Sequence, residues 1–186
     1  MPSGWRRKGA KVLHKGFASL SLVKLESPDG HELTREVEHH GEAVVVLPYD
    51  PDRKVALLVS QFRAPVFEAA GKDALLEAPA GIRDDESPEE GARRELREEA
   101  GLEVKALEFV GSFWSMPGIS TERMHFFLAA YGETDRNGEG GGLAEEHENI
   151  TVVEQPLAAL DDDRVEDLKT MFLVNALRLR RPDLFR

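Results

Sequence analysis

The run AVVVLPYD at 43–50 is apolar at nearly every position, which marks a strand covered on both faces. It leads through Asp50-Pro51-Asp52 into KVALLVSQF, a second strand of the same kind. Upstream, FASLSLVKL (17–25) and HELTREVE (31–38) flank SPDG, whose Pro-Asp-Gly is turn chemistry, so the spacing predicts a hairpin or two-stranded ribbon. Residues 73–80 and 107–113 predict shorter strands. RMHFFLAAY (123–131) predicts a stronger one, and ENITVVEQP predicts a last strand ending at Pro156. From 164 to 180 the apolar positions switch to helical spacing, with Leu168, Met171, Phe172, Val174 and Leu177 on one side. Strands outnumber helices and a helix lies between strand groups, so the expected class is α+β or a mixed α/β sandwich.

A second helix is predicted at 88–100. Ser87 suits the cap, Pro88 the first turn and Glu90 the capping-box position, while Gly101 marks the stop. At about 100° per residue, Glu95, Glu98 and Glu99 share an arc of roughly 100°. Ala92, Leu96 and Ala100 form the adjoining apolar stripe, and Arg93 and Arg97 sit on the far side. Gly91 lies on the acidic arc one turn earlier, where a missing side chain leaves room. A solvated helix face gains by alternating charge at i,i+4, whereas Glu95–Glu98 and Glu95–Glu99 are like-charged. Charge spacing alone leaves two readings open. One is an acidic solvent face. The other is an oxygen-rich site for a hard divalent cation.

Composition narrows the classes. The chain has 186 residues, 41% hydrophobic and 32% charged, enough for one folded domain with a small appendage. It has no cysteine, which excludes disulfides, thiolate metal sites and cysteine nucleophiles. A net charge of −11 lacks the basic footprint that nucleic-acid binding needs. A small phosphate-bearing ligand stays compatible, because a bound cation reverses the local sign. The basic N-terminus lacks the apolar run of a signal peptide, and no stretch reaches membrane-span length, so a cytoplasmic protein without a membrane partner is expected.

The string GIRDDE…RRELREEAGL resembles the Nudix box, G-x5-E-x7-R-E-U-x-E-E-x-G-U with U aliphatic. Glu86, Arg94, Glu95, Leu96, Glu98, Glu99, Gly101 and Leu102 fit the pattern. Only four residues separate Gly81 from Glu86, so the loop before Glu86 is one residue shorter than the pattern and Ala80 stands six before Glu86. The resemblance implies a Nudix fold, a mixed β-sheet between helices, and hydrolysis of a nucleoside diphosphate linked to another moiety. It implies Mg²⁺, with Mn²⁺ as an alternative, held by Glu95, Glu98, Glu99 and a backbone carbonyl near Ala80. Glu98 and Glu99 thereby join the catalytic set, and Arg94 becomes a partner that orients the glutamates.

Further pieces, among them TREV, VVVLPYDP, QFR, LLEAPAG, SMPGISTER and GGLAEEHENI, are similar to the ADP-ribose and nucleotide-sugar pyrophosphatase group. That likeness implies a catalytic base in the acidic stretch after the glycine-rich patch: Glu146, with Glu145 and Glu148 as neighbours. It implies substrate contacts from Arg63, Arg35, Glu122 and Pro117, a proline in that place being associated with ADP-ribose hydrolysis. It also implies a homodimer, with residues 1–40 as a dimerisation ribbon and 41–186 as the hydrolase domain. Expected products are a nucleoside monophosphate and a sugar phosphate. GDP-mannose is the rival substrate. A non-catalytic nucleotide-sugar sensor is the rival of another class, favoured only by the shortened loop.

Phe113 and Trp114 suit base stacking or core packing equally. His39-His40 and His125 are assigned no metal. Asn149-Ile150-Thr151 matches a glycosylation sequon without a secretory signal beside it.

Overall fold

The computed structural model describes residues 4–83, 85–142, 150–160 and 164–186. Two compact units divide the chain, one made of Met1–Glu42 with Phe113–Met124, the other of Ala43–Ser112 with His125–Arg186.

The first unit is built on a three-stranded antiparallel sheet, β1 (Arg6–Lys15), β2 (Ser19–Glu26) and β3 (Glu32–His39), in that order. The SPDG turn joins β2 to β3 as expected, with Gly30 at φ +87°. Strand β1 was not legible in the sequence. It is exposed at nearly every position and is held through its backbone ladder to β2, with two register shifts.

The second unit carries a seven-stranded sheet. Its main order is β10 (Thr151–Pro156), β5 (Val55–Gln61), β4 (Glu42–Asp50), β9 (Arg123–Ala130) and β8 (Glu108–Trp114). Strands β4 and β5 pair only beside their turn, at Tyr49↔Ala56 and Asp50↔Val55. Beyond that point two short strands take the vacated edges. β6 (Leu75–Glu77) pairs with β5, and β7 (Ala80–Ile82) pairs with β4. The stretch expected as one strand at 73–80 is therefore two, broken at Ala78-Pro79 because each half finds a different partner.

Helix α2 (Pro88–Ala100) has the predicted capping box at Ser87 and Glu90, and Gly101 closes it at φ +64°. Its stripe of Ala92, Leu96 and Ala100 packs with Val44, Val46, Leu57, Phe127 and Ala129. Val45 and Leu47, one residue out of phase on β4, are equally buried, so the opposite face is covered too. There Phe126 meets Phe172 of α3 (Leu168–Arg180) at 4.9 Å between ring centroids. The sheet thus lies between α2 and α3, an α+β arrangement. Asp167 caps α3, so that helix begins four residues later than its apolar periodicity suggested. Helix α1 (Ala64–Ala70) was not predicted. It buries none of its residues and so leaves no apolar period to read.

Candidate functional site

The site grows from the segment that enters the gap between β4 and β5. Val46 N–H donates to Pro79 O at 2.9 Å, so residue 79 faces β4. In an extended strand successive residues point their backbone groups to opposite sides. Ala78 and Ala80 therefore aim away from β4. Ala78 N–H donates to Thr170 Oγ1 at 2.6 Å, and Ala80 N–H donates to Glu99 Oε2 at 2.9 Å. The residue expected to lend a carbonyl to a metal also holds Glu99, one of the carboxylates expected there, by its amide.

Gly81 comes next, and its lack of a side chain leaves the Glu95 carboxylate its present position. A Cβ there would overlap the Glu95 carboxylate, 2.7 Å from Oε2 and closer to the rest. Glu95 and Glu99 are buried, 6% and 2% exposed, while the Glu98 side chain is 27% exposed. The helix therefore places two carboxylates inward and one at the rim.

Arg94 sits among these acids. Its guanidinium donates to Glu86 Oε1 at 3.0 Å, to Glu98 Oε2 at 2.9 Å and to Ile82 O at 3.0 Å, and lies 2.7 Å from Glu95 Oε1. Burial works against its charge, yet the Glu86 hydrogen bond and the Glu95 charge outweigh it and hold Arg94 more basic than a free arginine. The like-charge repulsion read from the helix is relieved by this one cation. The space over Gly91 is taken by Glu86, whose Oε1 would stand 3.1 Å from a Cβ at that glycine. Arg93 points elsewhere, donating to Val104 O.

Among the described residues no three carboxylate or imidazole groups converge at metal-ligating geometry. The donor set around α2 is nonetheless all oxygen, from Glu95, Glu98, Glu99 and the Ala80 backbone, which suits a hard divalent cation. By the chemistry of their donor atoms these residues fit one.

Arg63 is the N-cap residue of α1, and the structure gives its fork a partner inside the protein. Nε and Nη2 donate to Glu77 Oε1 and Oε2 at 2.7 and 3.0 Å. Glu77 is fully buried and also accepts from Lys169 Nζ, which in turn lies 2.9 Å from Asp167 Oδ1. Burial alone would raise the Glu77 carboxyl, but Arg63 and Lys169 draw it below the usual range. Sequence reasoning passed over this group. Its signal was a glutamate inside the otherwise apolar LLEAPAG, since a buried acid demands a cation.

The glycine patch after residue 137 seats on the end of α2. Gly141 N–H donates to Glu99 O at 2.9 Å and Gly142 N–H to Glu98 O at 3.0 Å. Gly140, Gly141 and Gly142 all take positive φ, and a Cβ at Gly140 would lie 2.8 Å from the Ala100 carbonyl carbon. The candidate base Glu146, with Glu145 and Glu148, lies outside the described residues.

Three sequence-predicted contacts belong to the first unit. Arg35 is on β3, where its Nη1 donates to Thr34 O at 2.9 Å. Pro117 is exposed, and Glu122 N–H donates to Ser120 Oγ at 3.0 Å. Arg123 lies 5.6 Å over the ring of the exposed Trp114. In the second unit His125 Nδ1 is 2.7 Å from Ser112 Oγ.

Comparison with known proteins accords with this geometry. The NUDIX domain family model matches residues 39–174. A GDP-mannose pyrophosphatase of Cronobacter sakazakii is 40% identical over 179 residues, covering 91% of this chain and 93% of the relative. An ADP-ribose pyrophosphatase of Escherichia coli K12 is 34% identical over 186 residues, covering 94% and 88%. The crystal structure of an ADP compounds hydrolase superposes with a TM-score of 0.72 at 22% identity, covering 96% of this chain and 95% of the other.

Proposed function

We propose, from the premise that this chain belongs to the NUDIX domain family, that it hydrolyses the pyrophosphate bond of ADP-ribose or a related nucleoside diphosphate sugar. The observation that carries this reading is the carboxylate set of α2, with Glu99 held by Ala80 of β7 and Glu95 and Glu98 paired with Arg94.

In this reading Glu95, Glu98, Glu99 and the Ala80 carbonyl hold Mg²⁺ or Mn²⁺. Such a cation, when bound, neutralises the diphosphate, polarises the P–O bond and lowers the pKa of an attacking water. Glu95 and Glu98, which pair with Arg94, would be two of its ligands. Glu146 takes the proton from a water that adds to one phosphorus. The P–O–P bridge breaks, leaving a nucleoside monophosphate and a sugar phosphate. In this reading Arg63, held by Glu77, binds the substrate phosphates. Arg35, Glu122 and Pro117 contribute further substrate contacts.

GDP-mannose is the second reading, favoured by the 40% identity to a relative that bears that name. A cytoplasmic homodimer with no nucleic-acid partner completes the proposal. The exposed Trp5, Val12, Leu13 and Phe17 of the N-terminal region support the dimer. No helix among the described residues is long and apolar enough to cross a membrane.

The test is product release from ADP-ribose, GDP-mannose, ADP-glucose and NADH, with and without Mg²⁺. Mg²⁺-dependent turnover of ADP-ribose is expected. Preference for GDP-mannose would transfer the assignment to the second reading. Tight binding with no turnover of any member would leave the chain a sensor.

A further inference from the structure

Helix α3 lies across the sheet from α2, yet one of its residues is tied to the α2 carboxylates through the backbone. Thr170 is fully buried in the first turn of α3. Its hydroxyl has one hydrogen, which it donates to Asp167 Oδ2, and it accepts the Ala78 N–H at 2.6 Å. Two residues along the same extended segment, Ala80 N–H donates to Glu99 Oε2. Pro79 between them is fastened to β4. Glu77, immediately before, is clamped by Arg63 and Lys169, and Lys169 is Thr170's neighbour on α3. The segment 77–80 is thus fixed on both sides, and the α3 side rests on a single hydroxyl and a single ammonium group.

We propose that Thr170 is a positioning residue for the metal-binding carboxylate Glu99, acting through Ala78 and Ala80 without touching metal or substrate. The inference rests on the reading that Glu99 is a metal ligand. Removing the hydroxyl leaves the Ala78 N–H buried without a partner, and the segment must shift to find one. A shift along 78–80 moves the Ala80 amide that orients Glu99. Groups that orient metal ligands in this way typically govern affinity by about 10-fold or more.

The test is Mg²⁺ or Mn²⁺ titration by calorimetry on metal-stripped protein, run on four variants. Thr170→Val should weaken metal binding about 10-fold, and Thr170→Ser should restore it to within about twofold. Val174→Ala, also fully buried on α3 but distant in role, should lower the unfolding midpoint with metal affinity unchanged. Glu99→Gln reports on the underlying reading by itself. If Glu99→Gln binds metal as the wild type does, the ligand assignment fails. If Glu99→Gln weakens binding while Thr170→Val matches Val174→Ala, only the positioning role is overturned. Should Thr170→Val not fold, amide exchange on the wild type decides the matter. Mg²⁺ should slow exchange at Ala78 together with Ala80, and slowing at Ala80 alone would overturn the proposal.

Discussion

Gly81 and Glu95 stand so close that the glycine's missing side chain is part of the carboxylate's seat: any Cβ at position 81 would overlap the Glu95 carboxyl group. Gly81→Ala should therefore push Glu95 out of place while β7 still pairs with β4. Metal affinity and kcat should each fall by about 10- to 100-fold, the range seen when a ligand's support is removed. Calorimetric metal titration and steady-state kinetics check this. Wild-type values in the alanine variant would show that Glu95 has no functional position to lose.

Arg94 serves four oxygen partners at once, Glu86, Glu95, Glu98 and the Ile82 carbonyl. A lysine keeps the charge but cannot span that fork. Arg94→Lys is expected to lower kcat/KM by about 10-fold or more and to weaken the apparent Mg²⁺ affinity alongside. A lysine variant that behaves as wild type would reduce Arg94 to a simple counter-charge.

Glu77 makes stability depend on pH in one direction. Its folded pKa lies below the ordinary carboxylate value, despite its burial, because Arg63 and Lys169 favour the ionised form. A depressed carboxyl stabilises the fold fully above its unfolded pKa of about 4.3, and the contribution is lost as the pH falls through the lower folded value. At pH 7, Glu77→Gln should cost about 2 kcal/mol, since it removes the buried carboxylate to which the part-exposed Arg63 and Lys169 both donate. That gap should narrow as the pH drops below about 4.3. Urea midpoints of both proteins across pH 3–7 measure it, and a gap of constant size would contradict the assignment.

Gly140 combines positive φ with close backbone on the last turn of α2. Gly30 has positive φ but open space around it. An alanine at Gly30 should therefore show conformational strain alone, about 1 kcal/mol. The same change at Gly140 must also displace backbone at Glu99 and Ala100, so it should cost more and weaken metal binding too. Denaturant melts of the pair test this, and equal losses would mean that the glycine patch does not brace the helix.

The helix that carries the acids was legible because its signals are local. Ser87, Pro88, Glu90 and Gly101 are cap chemistry, and the Ala92–Leu96–Ala100 stripe is a period that any packed helix must show. What surrounds the acids was not. A helical wheel counts neighbours on one helix, so it is blind to Glu86 and the Ile82 carbonyl, which precede the helix and meet Arg94. It read Gly91 as empty space, whereas Glu86 fills it. The break at Ala78-Pro79 was hidden because β6 and β7 owe their existence to different partners far along the chain. Strand β1 and helix α1 escaped for a related reason. Both are exposed along their length, so burial imprints no pattern on their residues.

In the proposed function the α2 glutamates, Glu99 foremost, hold the cation for pyrophosphate hydrolysis. Glu99→Gln tests it most directly, because the amide nearly preserves the shape and can still accept from the Ala80 N–H while removing the charge. Turnover of the best substrate with Mg²⁺ should drop by at least about 10³-fold, with the circular dichroism spectrum and unfolding transition of a folded protein. Near-normal turnover in that folded variant would mean that Glu99 holds no cation needed for hydrolysis.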